Sequence, residues 1–226
     1  MCTLQWIIPQ KCALGAAKRV SPTPLRDSLC YYKNMNHKGK RLFITGIPTS
    51  GKSYLAQKLA NKLDGFAVLL DDLRKKISAD EKYKKWTDFY FDKDEEKYFL
   101  QNSPEERWQD FVLQSEGLWP AFKAEIKKYQ DEPRPVIFEC VNLLPHLAKR
   151  SLNFPGIVLI GKSYEETLDR NRKSPRWGTT QRQQEMEAKN FFFEEGPLFK
   201  KEAIKYGYPV FETADEAFNY CLEKLS

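Results

Sequence analysis

Residues 42–53 read Leu42-Phe43-Ile44-Thr45-Gly46-Ile47-Pro48-Thr49-Ser50-Gly51-Lys52-Ser53, a short apolar strand running into G-x-x-x-x-G-K-S. Few patterns constrain a chain more, because the loop works only between a strand and the helix that follows it. Residues 54–63 meet that demand with apolar residues at helical spacing. A loop of this kind wraps backbone N–H groups around phosphates and aims a helix N-terminus at the same charge. Gly46 and Gly51 supply backbone angles and close approach that a Cβ would obstruct. Lys52 is expected to reach the β- and γ-phosphates, and the Ser53 hydroxyl to ligate Mg²⁺. The expected cofactor-binding stretch is Gly46, Ile47, Pro48, Thr49, Ser50, Gly51, Lys52, Ser53 and Tyr54, around a nucleoside triphosphate.

The net charge of +6 suggests a polyanionic partner until it is located. Residues 1–40 carry seven basic residues against Asp27 alone, so the remainder sums to zero. The expected organisation is therefore a basic, disordered extension over 1–38 and a balanced α/β domain over 39–226. Ser21-Pro22-Thr23-Pro24 resists regular structure, and a targeting segment, a tail or an upstream start preceding Met35 all fit such a stretch. Five cysteines without C-x-x-C or Cys/His pairing argue against a disulfide framework or a zinc site and point to a cytoplasmic setting. No run approaches the roughly 18 apolar residues of a membrane span.

From residue 41 onward, short apolar strands at 41–45, 66–70, 135–139, 156–160 and 208–211 alternate with helical patterns, the signature of a parallel sheet. Ser103-Pro104-Glu105-Glu106 opens a long helix reaching about Tyr129, Ser163 to Glu166 opens another, and Thr213 to Glu216 the last. Residues 80–102 mix charge with aromatic rings and show no period. They read equally as solvated loop and short helices packing their rings on the domain, or as part of a substrate-covering insertion over about 80–130.

In a parallel sheet, ligands gather at the carboxyl ends of the strands. The second strand ends in Asp71-Asp72-Leu73-Arg74. One acid there is expected to serve as base or substrate anchor and the other to cap the helix, while Arg74 steadies an anionic substrate. The third strand ends in Glu139-Cys140-Val141-Asn142. Glu139 is placed to orient Mg²⁺ with Ser53, Asn142 to bond substrate or Ser53, and Cys140 to pack. Arg170, Arg172 and Arg176 crowd a helix end broken by Pro175 and Gly178. On that elbow, a lid over about 170–182 is expected to bring Arg172 and Arg176, ahead of Arg170, onto the phosphates. His146 reads as structural, and Phe191, Phe192, Phe193, Trp108, Phe111 and Trp119 as core, although the N-terminal half of the long helix could wall a substrate pocket.

Taken in order over 41–213, the P-loop, Asp71-x-x-Arg74, Glu139-x-x-Asn142 and the arginine elbow resemble the P-loop phosphotransferase kinases. They are most similar to the group around polynucleotide 5′-kinases, zeta-toxin-like kinases and 2-phosphoglycerate-kinase-like proteins. The resemblance implies a three-layer α/β/α P-loop NTPase fold with a five-stranded parallel sheet, order 2-3-1-4-5, and a small arginine lid. It also implies ATP and Mg²⁺ at Gly46 to Ser53, a base or anchor at Asp71, a substrate arginine at Arg74 and lid arginines at Arg172 and Arg176. Two departures stand out: Asp72 adjoins Asp71, leaving the base to either, and Glu139-Cys140 replaces the commoner Asp-containing strand end.

The expected activity is ATP-dependent transfer of the γ-phosphate to a hydroxyl of a small metabolite or nucleotide. A polynucleotide 5′-hydroxyl is the variant acceptor, and the competing reading is an ATP-binding switch or weak ATPase acting through a protein partner at 80–130. Asn61-Lys62-Leu63-Asp64 matches the N-K-x-D guanine motif in letters only, since it ends the P-loop helix.

Overall fold

The computed structural model describes residues 39–90 and 93–225. The basic extension, with Ser21 to Pro24, Met35, His37 and three of the cysteines, lies outside the described residues, as does Phe91. Five parallel strands form one sheet: β1 (Arg41–Gly46), β2 (Phe66–Leu69), β3 (Val136–Glu139), β4 (Gly156–Leu159) and β5 (Val210–Phe211). Their order is 2-3-1-4-5, as expected.

Side-chain alternation along the strands divides the core in two. Leu42, Ile44, Ile137, Ile157 and Leu159 point to one face, where α1 (Lys52–Leu63) and the C-terminal helix Ala214–Leu225 cover them with Leu55, Leu59, Cys221 and Leu225. Phe43, Val136, Phe138 and Val158 point to the other face. Phe111, Leu118, Trp119, Phe122 and Phe199 seal that face from helices on its side. The result is an α/β/α sandwich in which β1, flanked by β3 and β4, is buried on both faces.

Between the strands, helices α2 (Asp71–Ile77), α3 (Glu81–Thr87), α4 (Glu95–Gln101) and α5 (Pro104–Lys127) separate β2 from β3. Helix α6 (Pro145–Ser151) precedes β4. Helices α7 (Tyr164–Lys173) and α8 (Gln181–Lys189), a π-turn over Asn190–Glu195 and α9 (Gly196–Tyr206) precede β5, and α10 (Ala214–Leu225) closes the described chain. The capping box at Ser103 and Glu106 is formed in both directions, and α5 ends two residues before Tyr129. Ser163 accepts from the Glu166 N–H, and Thr213 and Glu216 bond reciprocally. The described residues of 80–102 hold short helices, as expected: two of seven residues each, capped by Asp80 and Asp94, and each too short for its apolar period to register. Trp86 lies so close to Gly117 that a Cβ there would come within 2.2 Å of the indole, which presses α3 onto the middle of α5.

Candidate active site

The P-loop joins β1 to α1 at the carboxyl edge of the sheet. Gly46 has φ +125°, and a Cβ on it would fall 1.9 Å from the Leu159 carbonyl oxygen, so the neighbouring strand β4 demands this glycine. Gly51, at φ +93°, is the N-cap residue of α1, and no side chain caps the helix. Its first-turn N–H groups are thus left to an external acceptor. Thr49 holds the left-handed region at φ +64°, and its buried Oγ1 has no hydrogen-bond partner among the described residues. A strained crest, an orphaned hydroxyl and an uncapped helix fit a bound phosphate chain.

Lys52 is 5% exposed and donates to the Ile47 carbonyl at 2.6 Å. Desolvation lowers its pKa, while Glu139 and Asp71 hold it up. Glu139 ends β3 opposite Ile44 of β1 and Leu69 of β2, and is 3% exposed. Burial raises its pKa against the pull of Lys52, and it accepts from Ser53 Oγ at 2.8 Å. Ser53 and Glu139 therefore offer adjacent oxygens suited to Mg²⁺. Among the described residues no group of three or more His, Cys, Asp or Glu could hold a metal, so phosphate oxygens and water would have to complete the shell of an ion held here.

The two acids after β2 part company. Asp71 lines the cleft beside Lys52 and Ser53, accepts from Cys140 Sγ at 3.2 Å and lies 3.9 Å from the Arg74 guanidinium. Asp72 is exposed and outside the cleft. The expectation that one of them caps α2 is corrected: Leu70 holds the N-cap position, with no side-chain bond, and both acids sit in the first turn. Cys140 is fully buried, and burial pushes its thiol well above the usual range, in keeping with a packed side chain.

The cleft measures about 600 Å³ and runs from Pro48, Lys52 and Ser53 to a wall that the sequence left blank. Tyr90, Tyr98, Phe99, Phe111, Trp177 and Phe191 form its apolar part, and Arg74, Arg107 and Arg176 its cationic part. Arg107 is a bracket rather than a free cation. Its Nε donates to Asn190 at 3.0 Å, and its other nitrogens bind the Phe99 and Asn102 carbonyls and Glu194. Glu195, also on the wall, is pushed up to about 7 by burial, opposed by a 2.6 Å bond from Asn190 Nδ2.

The arginine elbow is rearranged relative to expectation. Arg176 lines the cleft and acts electrostatically on both Lys52 and Glu139. Arg172 instead pairs with Glu185 at 3.0 Å across α7 and α8 and does not line the cleft. Arg170 is the residue that touches the P-loop, donating to the Thr49 carbonyl at 3.0 Å. The order of preference between Arg170 and Arg172 is thus reversed, because the phase of α7 turns Arg170 to the P-loop and Arg172 to α8. Asn142 is a second correction. It is fully buried, and its Nδ2 donates to Ser115 Oγ at 2.8 Å and Gln114 at 3.3 Å, so its amide clamps the end of β3 to α5. Phe193 is a third: it is 58% exposed and stacks on Tyr164, whereas Phe191 is buried at the cleft. Tyr54 likewise stands outside the cleft, 60% exposed on α1. His146 is held by Glu202 at 2.6 Å, a structural pairing. Arg107, Glu195, Tyr98 and Trp177 escaped sequence reasoning. Only Trp177, beside the helix-breaking Gly178, carried any local signal.

No protein-family model matches the chain, and no curated protein matches it. Among solved structures, the chain is similar to a shikimate kinase from Acinetobacter baumannii, at 14% identity over 86% of this chain and 94% of that one, TM-score 0.49. It is also similar to an uncharacterized protein from Eubacterium ventriosum, at 12% identity over 83% and 98%, TM-score 0.43. A gluconokinase from Sinorhizobium meliloti matches at 12% identity over 83% and 91%, TM-score 0.42.

Proposed function

We propose that residues 39–226 form an ATP-dependent kinase domain that transfers the γ-phosphate to a hydroxyl of a small acceptor. One observation carries this reading: Lys52, Ser53, Glu139, Asp71 and Arg176 line a single cleft that extends beyond the P-loop into a separate aromatic wall. The loop holds the nucleotide phosphates through backbone N–H groups and Lys52, and Ser53 with Glu139 would hold Mg²⁺, which spreads the charge of the transferring group. Asp71, half exposed at the cleft and flanked by Arg74, accepts the proton of the attacking hydroxyl. Asp72 has no such access. Arg176 adds positive charge opposite Lys52. The acceptor lies against Tyr90, Tyr98 and Phe99, in the part contributed by the 80–130 insertion. A cleft of about 600 Å³ suits a small molecule better than a polynucleotide strand.

Incubating the protein with γ-labelled ATP, Mg²⁺ and a panel of metabolites, nucleosides and 5′-hydroxyl oligonucleotides tests the proposal. Acceptor-dependent label transfer that vanishes in Lys52→Ala supports it; nucleotide binding without transfer to any acceptor overturns it in favour of an ATP switch.

A further inference from the structure

Beneath the elbow that carries Arg176, two nearly buried carboxyl groups meet. Glu95, the first residue of α4, is 4% exposed, and neither of its buried oxygens has a donor among the described residues. Its neighbour is Glu187 of α8, 1% exposed. Glu187 already accepts three bonds: from the N–H groups of Trp177 at 2.7 Å and Gly178 at 3.0 Å, and from Asn171 Nδ2 at 2.6 Å. Glu95 in turn packs on Gly178 so closely that a Cβ there would come within 2.1 Å of its Oε2. The other charges around Glu95 are Glu96 on its own helix, bound to Arg182 of α8 at 3.4 Å, and Asp94, Lys93 and Lys97 along the groove outside. Two bare carboxylates at this depth would repel strongly, and a proton on one turns that contact into a hydrogen bond.

We propose that Glu95 and Glu187 share one proton, and that this protonated pair is the latch holding the 176–178 elbow against the aromatic wall and Arg176 over the P-loop. Both are positioning residues that act on the site through the backbone of Trp177 and Gly178. The latch rests on the proposed kinase site only for its purpose, not for its existence. Burial and the contact with Glu187 raise the Glu95 carboxyl from 4.5 to about 8 in the docked elbow, whereas a carboxyl freed to water titrates near its ordinary value. The docked form therefore binds the extra proton between these values. Docking loses ground as pH rises through that window and reaches its minimum above about 8.

Trypsin cleavage between Arg176 and Trp177, resolved by mass spectrometry and normalised to a free peptide of residues 170–182, reads the elbow without nucleotide or acceptor. In the wild-type chain the normalised rate is expected to rise at least about tenfold from pH 6 to pH 9, because cleavage follows the open population. Glu95→Gln, which presents an amide N–H to Glu187, is expected to stay protected and flat across the same range. Gly178→Ala, whose methyl group strikes Glu95, is expected to be open at every pH. A flat wild-type profile overturns the latch, as does a rise that persists in Glu95→Gln. Because the digest needs no turnover, a kinase with a flat profile refutes only the latch, and a pH-gated elbow in a chain that transfers no phosphate refutes only the kinase.

Discussion

The two walls of the cleft are built on different principles. The P-loop wall is one continuous stretch, 46–53, whose geometry follows from its own residues and the strand beside it. The opposite wall is assembled from α2, the short helices α3 and α4, the start of α5, the elbow at 176–177 and the π-turn, pieces as far apart in sequence as Arg74 and Glu195. On the first wall the positive-φ positions Gly46, Thr49 and Gly51 sit within six residues. On the second, Arg107 alone ties α5 to Asn102, Asn190 and Glu194. Local chemistry shapes the loop proposed to hold phosphate; long-range packing shapes the wall proposed to take an acceptor.

The sharpest way to break this division is at Lys52. Lys52→Ala is expected to cost about 10³-fold in kcat/KM, about 4 kcal/mol, with the melting temperature preserved, as checked by phosphotransfer and thermal unfolding. Next come the paired acids. Asp71→Asn is expected to lower kcat about 10²-fold, and Asp72→Asn to stay within about twofold of wild type. Equal losses in steady-state kinetics would remove the distinction between them. Asn142→Ala tests whether this residue clamps rather than binds. It leaves Gln114 and Ser115 short of a buried partner, so a stability loss of about 2 kcal/mol in denaturant unfolding is expected, with KM for both substrates unchanged. The smallest contrast lies on the elbow. Arg176→Ala is expected to reduce turnover about tenfold. Arg172→Ala removes one exposed ion pair with Glu185 and is expected to leave the melting temperature and turnover unchanged.

How far the site could be read in advance follows the same divide. The G-x-x-x-x-G-K-S run, the acid at the end of β3 and the strand order expected from the family resemblance match the observed arrangement, since each depends on a strand end within a parallel sheet. Asp71 and Asp72 differ by one position in sequence, and only the direction of α2 sends the first to the cleft and the second to solvent. Asn142 looked like a polar residue at the active edge, and nothing local shows that α5 crosses directly over it. Arg170, Arg172 and Arg176 were legible as a cluster, yet their roles were exchanged because helix phase and the turn after α7 decide which guanidinium faces inward. Glu95 and Glu187 carried no signal. They stand 92 positions apart, and each alone reads as an exposed helix acid.

The sequence by itself determined the P-loop half of the cleft: a strand, a glycine loop and a helix whose N–H groups, lysine and serine converge because they are neighbours along the chain. The tertiary structure decided the rest: which acid reaches the cleft, which arginine covers it, and which rings and buried carboxyls close the far wall. Those choices depend on contacts between segments tens of residues apart, where packing and desolvation set the arrangement and no local pattern records it.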